Sequence, residues 1–105
     1  MRQGEIRRRL DTTGTVPFYV MVLSGPNHLA VDTGRVVVCR VIPGGAPENF
    51  VGVRGVSYTG PDGVATIGLV VPELVEWYPR SALSEPVGLL KDVRSVLNLI
   101  HALFE

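Results

Sequence analysis

Apolar residues in this chain come in short runs separated by turn-forming residues, the spacing of a small β-rich fold. The pattern predicts strands over residues 3–10, 17–24, 34–42, 49–58, 64–71 and 74–79. Between them, Asp32-Thr33-Gly34, Pro43-Gly44-Gly45-Ala46-Pro47 and Gly60-Pro61-Asp62-Gly63 carry the glycines and prolines that tight connections require, the last reading as a hairpin tip. Arg35 to Ile42 and Val64 to Val71 are so rich in Val and Ile that they read as strands covered on both faces or closed into a small barrel, which also removes exposed edges. The period then changes. Leu89, Leu90, Val93, Val96, Leu97, Ile100, Leu103 and Phe104 follow helical spacing, with Lys91, Asp92, Arg94, Ser95 and Asn98 on the opposite face. This predicts a C-terminal amphipathic helix beginning near Leu89 or Leu90 and packed on the sheet, so the expected class is α+β, mainly β.

The 105 residues suit one domain spanning 1–105, and a 46% hydrophobic content against 19% charged argues for a packed core rather than disorder. The formal net charge is zero, yet residues 1–60 hold seven basic and four acidic side chains and residues 61–105 hold three and six. That asymmetry permits a basic binding surface, although salt screens such a dipole beyond about 8–10 Å. Cys39 is the one cysteine and, inside the run Val36-Val37-Val38-Cys39, reads as a buried spacer. No apolar run approaches the roughly 18–20 residues of a membrane span, and the basic N-terminus is not followed by a secretory apolar region, so the cytoplasm is the expected compartment.

Chemistry-bearing residues fall at predicted strand ends. In an extended Gly4–Leu10, Arg7 and Arg9 project on one side with Glu5, about 6.5 Å apart, a spacing that suits successive phosphates; the simpler reading is a charged edge strand. Ser24, Asn27 and His28 form a polar cluster where a strand closes, readable as a binding site or as an ordinary turn. No third residue in the sequence is placed to orient the imidazole. Trp77-Tyr78-Pro79-Arg80 is aromatic and basic at another strand end; it suits core packing with an exposed rim, or a partner contact through Trp77 or Arg80. His101 sits among apolar helix residues, where an imidazolium suits the helix C-terminus. No spacing of His, Cys or carboxylates resembles a metal site, and no cofactor is expected.

Met1-Arg2-Gln3-Gly4-Glu5-Ile6, Tyr19-Val20-Met21-Val22-Leu23-Ser24, Arg35 to Ile42, and Pro79-Arg80-Ser81-Ala82-Leu83 with Pro86-Val87-Gly88 resemble the start, core strands and closing segment of the MazF/PemK toxins. Asp32-Thr33-Gly34-Arg35, Val41-Ile42-Pro43 and the stretch from Lys91 to Ile100 are similar to the related CcdB toxins. The resemblance implies an SH3-like β-barrel with a C-terminal helix, a homodimer, and a small antitoxin as partner. It also implies one of two activities, metal-independent cleavage of single-stranded RNA or poisoning of DNA gyrase, and a shared scaffold does not choose between them.

The chain departs from both patterns. Phe18, or Pro17 with a one-residue shift, stands where the MazF arginine precedes the second core strand. Arg40-Val41-Ile42, or Pro43-Gly44-Gly45, replaces Pro-x-Thr/Ser, and Ala102-Leu103-Phe104-Glu105 replaces the gyrase-reaching tail of CcdB. RNA cleavage without metal needs a base, an acid and a cation at the phosphate. The expected substitutes are Arg40, Ser24 and His28 in the catalytic roles, with Arg7, Arg9, Asn27 and Arg54 on the RNA; a protein that has lost cleavage and acts by binding is the alternative.

Overall fold

A computed structural model describes residues 1–10, 18–31, 33–44, 52–60 and 62–105, with the side chain of Arg54 outside that description. Among the described residues six antiparallel strands form one sheet: β1 (Glu5–Arg9), β2 (Tyr19–Val22), β3 (Arg35–Pro43), β4 (Val53–Thr59), β5 (Ala65–Pro79) and β6 (Leu83–Leu89), in the order β4-β5-β3-β2-β1-β6. The described residues also form two α-helices, α1 (Pro26–Ala30) after β2 and α2 (Val93–Ala102) after β6. The class is α+β and mainly β, as the hydrophobic pattern predicts.

The sheet curls until its two end strands meet. A Cβ on Gly88 of β6 would lie 2.8 Å from the Ser57 carbonyl oxygen and 2.9 Å from the Tyr58 Cβ of β4, so only glycine permits that approach. Inside the curl, Ile6, Tyr19, Met21, Cys39, Val41, Val56, Tyr58 and Val70 pack together with Val96 of α2. The opposite face of the same strands carries a second cluster of Val20, Val22, Val36, Val38, Tyr78 and Leu83, with Leu29 of α1 against it. Burial on both faces explains why β3 reads as a nearly continuous apolar run. Cys39 is fully buried, the spacer its neighbours predict.

Four features differ from the sequence expectation. The runs 64–71 and 74–79 are one strand: β5 continues through Pro72, which falls where the pairing with β3 slips between Cys39↔Val75 and Arg40↔Val71, so its missing N–H interrupts no regular ladder. β6 has no counterpart in the sequence pattern, because Ser84, Glu85, Pro86 and Gly88 interrupt any apolar alternation. It pairs with β1 through two register shifts, with Pro86 opposite Arg7. That pairing takes up Leu89 opposite Glu5 and moves the helix start to Val93, where the Asp92 carboxylate accepts the Ser95 N–H as cap. Finally, 26–30 is a helical turn rather than a plain turn, with Pro26 in its first turn. The expected hairpin between β4 and β5 is present, closed by Gly60 N–H to the Val64 carbonyl at 2.8 Å; residues 17, 32, 45–51 and 61 of the expected elements lie outside the described residues.

Candidate functional site

Ser24 follows β2 and is nearly buried. The Leu23 and Ser24 N–H groups both donate to the Val37 carbonyl, at 2.8 and 3.2 Å, and the Val37 N–H donates back to the Ser24 hydroxyl at 2.8 Å. The chain then turns through Gly25 into α1, whose Leu29 N–H reaches the Gly25 carbonyl at 3.0 Å. One helical turn carries His28 back over the serine, and the sequence gap of four that looks unproductive in a loop becomes a contact: His28 Nδ1 lies 2.7 Å from Ser24 Oγ. Trp77 of β5, paired with Val37, sets its indole perpendicular to the imidazole, with ring centres 5.4 Å apart and 85° between planes. The indole is 61% exposed.

This arrangement suits proton transfer. A hydroxyl offers one donor and two acceptor sites, and Val37 occupies one acceptor. The remaining two let Ser24 donate to His28 Nδ1 or accept from it, so either imidazole tautomer is held in the same orientation and Nε2 is left to give or take a proton. Among the described residues no group of three or more His, Cys, Asp and Glu stands close enough to hold a metal ion.

A second cluster occupies the face of Val20 and Val38. The guanidinium of Arg40 lies 4.8 Å from the centre of the Phe18 ring, and that of Arg9 lies 5.6 Å from the same ring and 4.3 Å from the Tyr78 ring. Arg9 also donates through Nε to the Tyr78 hydroxyl at 2.6 Å and lies 3.6 Å from Glu76. Phe18, standing where the resemblance leads one to expect an arginine, is the platform that gathers two arginines from β1 and β3.

A scan against family models matches residues 4–103 to the type II toxin-antitoxin system toxin Rv0299 family. The chain is also 40% identical over 85 residues to Toxin Rv0299 of Mycobacterium tuberculosis (strain ATCC 25618 / H37Rv), which covers 81% of this chain and 77% of the relative. The chain belongs to the Rv0299 toxin family. It is therefore a toxin of a type II toxin-antitoxin system, and the matched span contains every candidate residue discussed above.

Within this Rv0299-family toxin the other sequence candidates are distributed unevenly. Arg7 does not project freely beside Arg9: Glu5 binds its Nη2 at 2.8 Å and the Ser84 carbonyl accepts from Nη1 at 2.7 Å, so it ties β1 to β6. The same Arg7 guanidinium, with the Arg2 N–H, offsets the burial of Glu5 and leaves its carboxyl below the usual range. Arg80, in a single 3₁₀ turn (Arg80–Ala82), donates to the Leu29 carbonyl at 2.7 Å and so fixes α1 instead of facing outward. Asn27 is exposed on α1, and Arg54 belongs to β4. His101 pairs with Glu105 at 3.0 Å on the exposed end of α2. Structure thus joins Ser24, His28 and Trp77, and separately joins Arg9 and Arg40 through Phe18. Sequence reasoning names Phe18 and Glu5 without giving them these roles and misses Glu76; Glu5 has a local signal, its place two residues from Arg7 on one strand side.

Proposed function

We propose that this toxin is a metal-independent endoribonuclease in which His28, held by Ser24, works on the 2′-hydroxyl of single-stranded RNA. The observation that carries the reading is the 2.7 Å contact between Ser24 Oγ and His28 Nδ1 beside an exposed Trp77. With Nδ1–H donating to Ser24, the free Nε2 takes the 2′-hydroxyl proton. The 2′-oxygen attacks the adjacent phosphorus, the bond from phosphorus to the 5′-oxygen breaks, and the departing oxygen takes a proton from water. The products are a 2′,3′-cyclic phosphate and a 5′-hydroxyl. Trp77 offers a face for base stacking, and the Arg9–Phe18–Arg40 cluster offers cations and an aromatic ring to the neighbouring strand, a combination suited to single-stranded nucleic acid. Membership of a toxin-antitoxin family gives the site a regulator, a cognate antitoxin.

Incubating the purified toxin with single-stranded RNA in EDTA and mapping the new ends tests this. Cleavage ending in 2′,3′-cyclic phosphate, reduced at least about 100-fold in His28→Ala, is the expected result. Intact RNA, or full activity in His28→Ala, overturns it; intact RNA with plasmid trapped in gyrase cleavage complexes reassigns the toxin to gyrase.

A further inference from the structure

A groove of about 650 Å³ lies away from the Arg9–Arg40 cluster, between the N-terminal residues, α1 and the first turns of α2. Its walls are fixed. Gln3 Nε2 donates to the Leu23 carbonyl at 2.8 Å, and the Arg2 N–H donates to Glu5 Oε1 at 2.7 Å, which anchors the N-terminal segment beside α1. Leu29, Val93 and Leu97 give the groove an aliphatic lining, and Arg2, Lys91 and Arg94 add positive charge. Two of the three basic residues in the acidic half of the chain, Lys91 and Arg94, are gathered here. Among the described residues no ion pair or hydrogen bond occupies the side chains of Arg2, Lys91 and Arg94, while Asp92, the one acid of the lining, is engaged by Ser95 as helix cap.

We infer that this groove is the docking site for an acidic, amphipathic segment of the cognate antitoxin. Aliphatic lining with a cationic rim is complementary to a helix or strand that shows Leu or Val on one side and Asp or Glu on the other. RNA fits less well, because among the described residues the lining holds no aromatic ring on which a base can stack. The groove shares α1 with His28, so an occupant contacting Leu29 presses on the helix that holds the imidazole and has a direct mechanical route to the Ser24–His28 pair. The inference rests on the family assignment and not on the nuclease reading, since binding is measured without RNA.

The test uses full-length toxin and the antitoxin that co-purifies with it from its own operon. Hydrogen exchange of the complex is expected to show protection of residues 1–3, 26–30 and 91–97. Lys91→Glu with Arg94→Glu, at exposed positions that leave the core untouched, is expected to weaken binding about tenfold or more and to flatten its salt dependence. Leu97→Asp is expected to weaken binding while the salt dependence persists, and thermal unfolding of each free variant checks that it folds. Protection confined to other surfaces, such as Val75 and Trp77 of β5, overturns the inference, as does wild-type affinity in the double charge reversal. So does displacement of the antitoxin by an unstructured oligonucleotide from wild type but not from Arg94→Glu, which reassigns the groove to RNA.

Discussion

Arg9 and Tyr78, 69 residues apart, are joined by a 2.6 Å hydrogen bond from Arg9 Nε to the phenolic oxygen, with the guanidinium 4.3 Å from the ring centre. The 3₁₀ turn brings the end of β5 to the start of β6, and Leu83 of β6 pairs with Arg9 of β1, so this contact closes the outer face of the sheet next to the Val20–Val38 cluster.

A hydrogen bond to a charged donor in this half-buried position predicts that Tyr78→Phe lowers the unfolding free energy by about 1–2 kcal/mol in urea denaturation. Arg9→Lys is expected to lose as much, because an ammonium keeps the charge without the planar fork that bonds and stacks at once. An Arg9→Lys variant as stable as wild type contradicts this account.

Gly4 joins β1 to the lead-in of α2: its carbonyl accepts the Leu90 N–H at 2.9 Å, and its own N–H donates to the Val22 carbonyl at 2.8 Å. It adopts φ +92°, and a Cβ there would stand 2.5 Å from the Leu90 carbonyl oxygen and 2.7 Å from Val93 Cγ2. Positive φ and the collision together predict that Gly4→Ala costs about 2–4 kcal/mol, read from the same urea titration. A loss within about 0.5 kcal/mol, the range of an ordinary surface substitution, shows that the packing gives way.

What can be read from the sequence follows the range of the interactions involved. Val36, Val38, Cys39 and Val41 announce a strand buried on both sides, and Val93, Val96 and Ile100 announce the inner face of a helix, because those patterns repeat within a few residues. β6 is hidden because Pro86 and Gly88 carry local signals against a strand, while their tolerance comes from distant partners, the register shifts against β1 and the close passage of β4. The Ser24–His28 pair lies in between: both residues stand out, but their contact depends on a helical turn too short to show a period. Arg9 reads as a free cation because nothing local reveals Tyr78.

Burial pushes the Cys39 thiol up from its ordinary 9.0 to about 12, because the interior disfavours the thiolate. The native state then holds this proton more tightly than the unfolded chain. Its contribution to stability is complete below pH 9 and is lost as the pH rises toward 12, at up to about 1.4 kcal/mol per pH unit. Tyr19 and Tyr58, also raised by burial, lose stability in the same direction. Comparing the slope of unfolding free energy against pH in wild type and Cys39→Ala isolates the thiol. A shallower slope above pH 9 in the variant is expected, together with slow alkylation of native wild type at pH 8; equal slopes contradict the assignment.

Arg40 and His28 are expected to fail in different ways if the nuclease reading holds. Arg40 lies on β3 three positions beyond Val37, the residue that anchors Ser24, which places its backbone about 10 Å further along the strand. Its guanidinium lies 4.8 Å from the centre of the Phe18 ring, within the cluster that also holds Arg9, and stacking there leaves its N–H donors to a phosphate. A cation held there grips the phosphates of the bound strand and does not touch the proton in transit. Arg40→Ala is therefore predicted to raise KM about tenfold with kcat changed less than about threefold, the signature of lost uniform binding. His28→Ala is predicted to lower kcat at least about 100-fold at nearly constant KM. Phe18→Ala should resemble Arg40→Ala, since removing the ring releases the Arg40 guanidinium while Arg9 stays on Tyr78 and Glu76. Steady-state cleavage of a short single-stranded RNA by the three variants decides the matter: a kcat loss in Arg40→Ala as large as that in His28→Ala means that Arg40 reaches the reacting phosphate, and the two clusters then form one active centre.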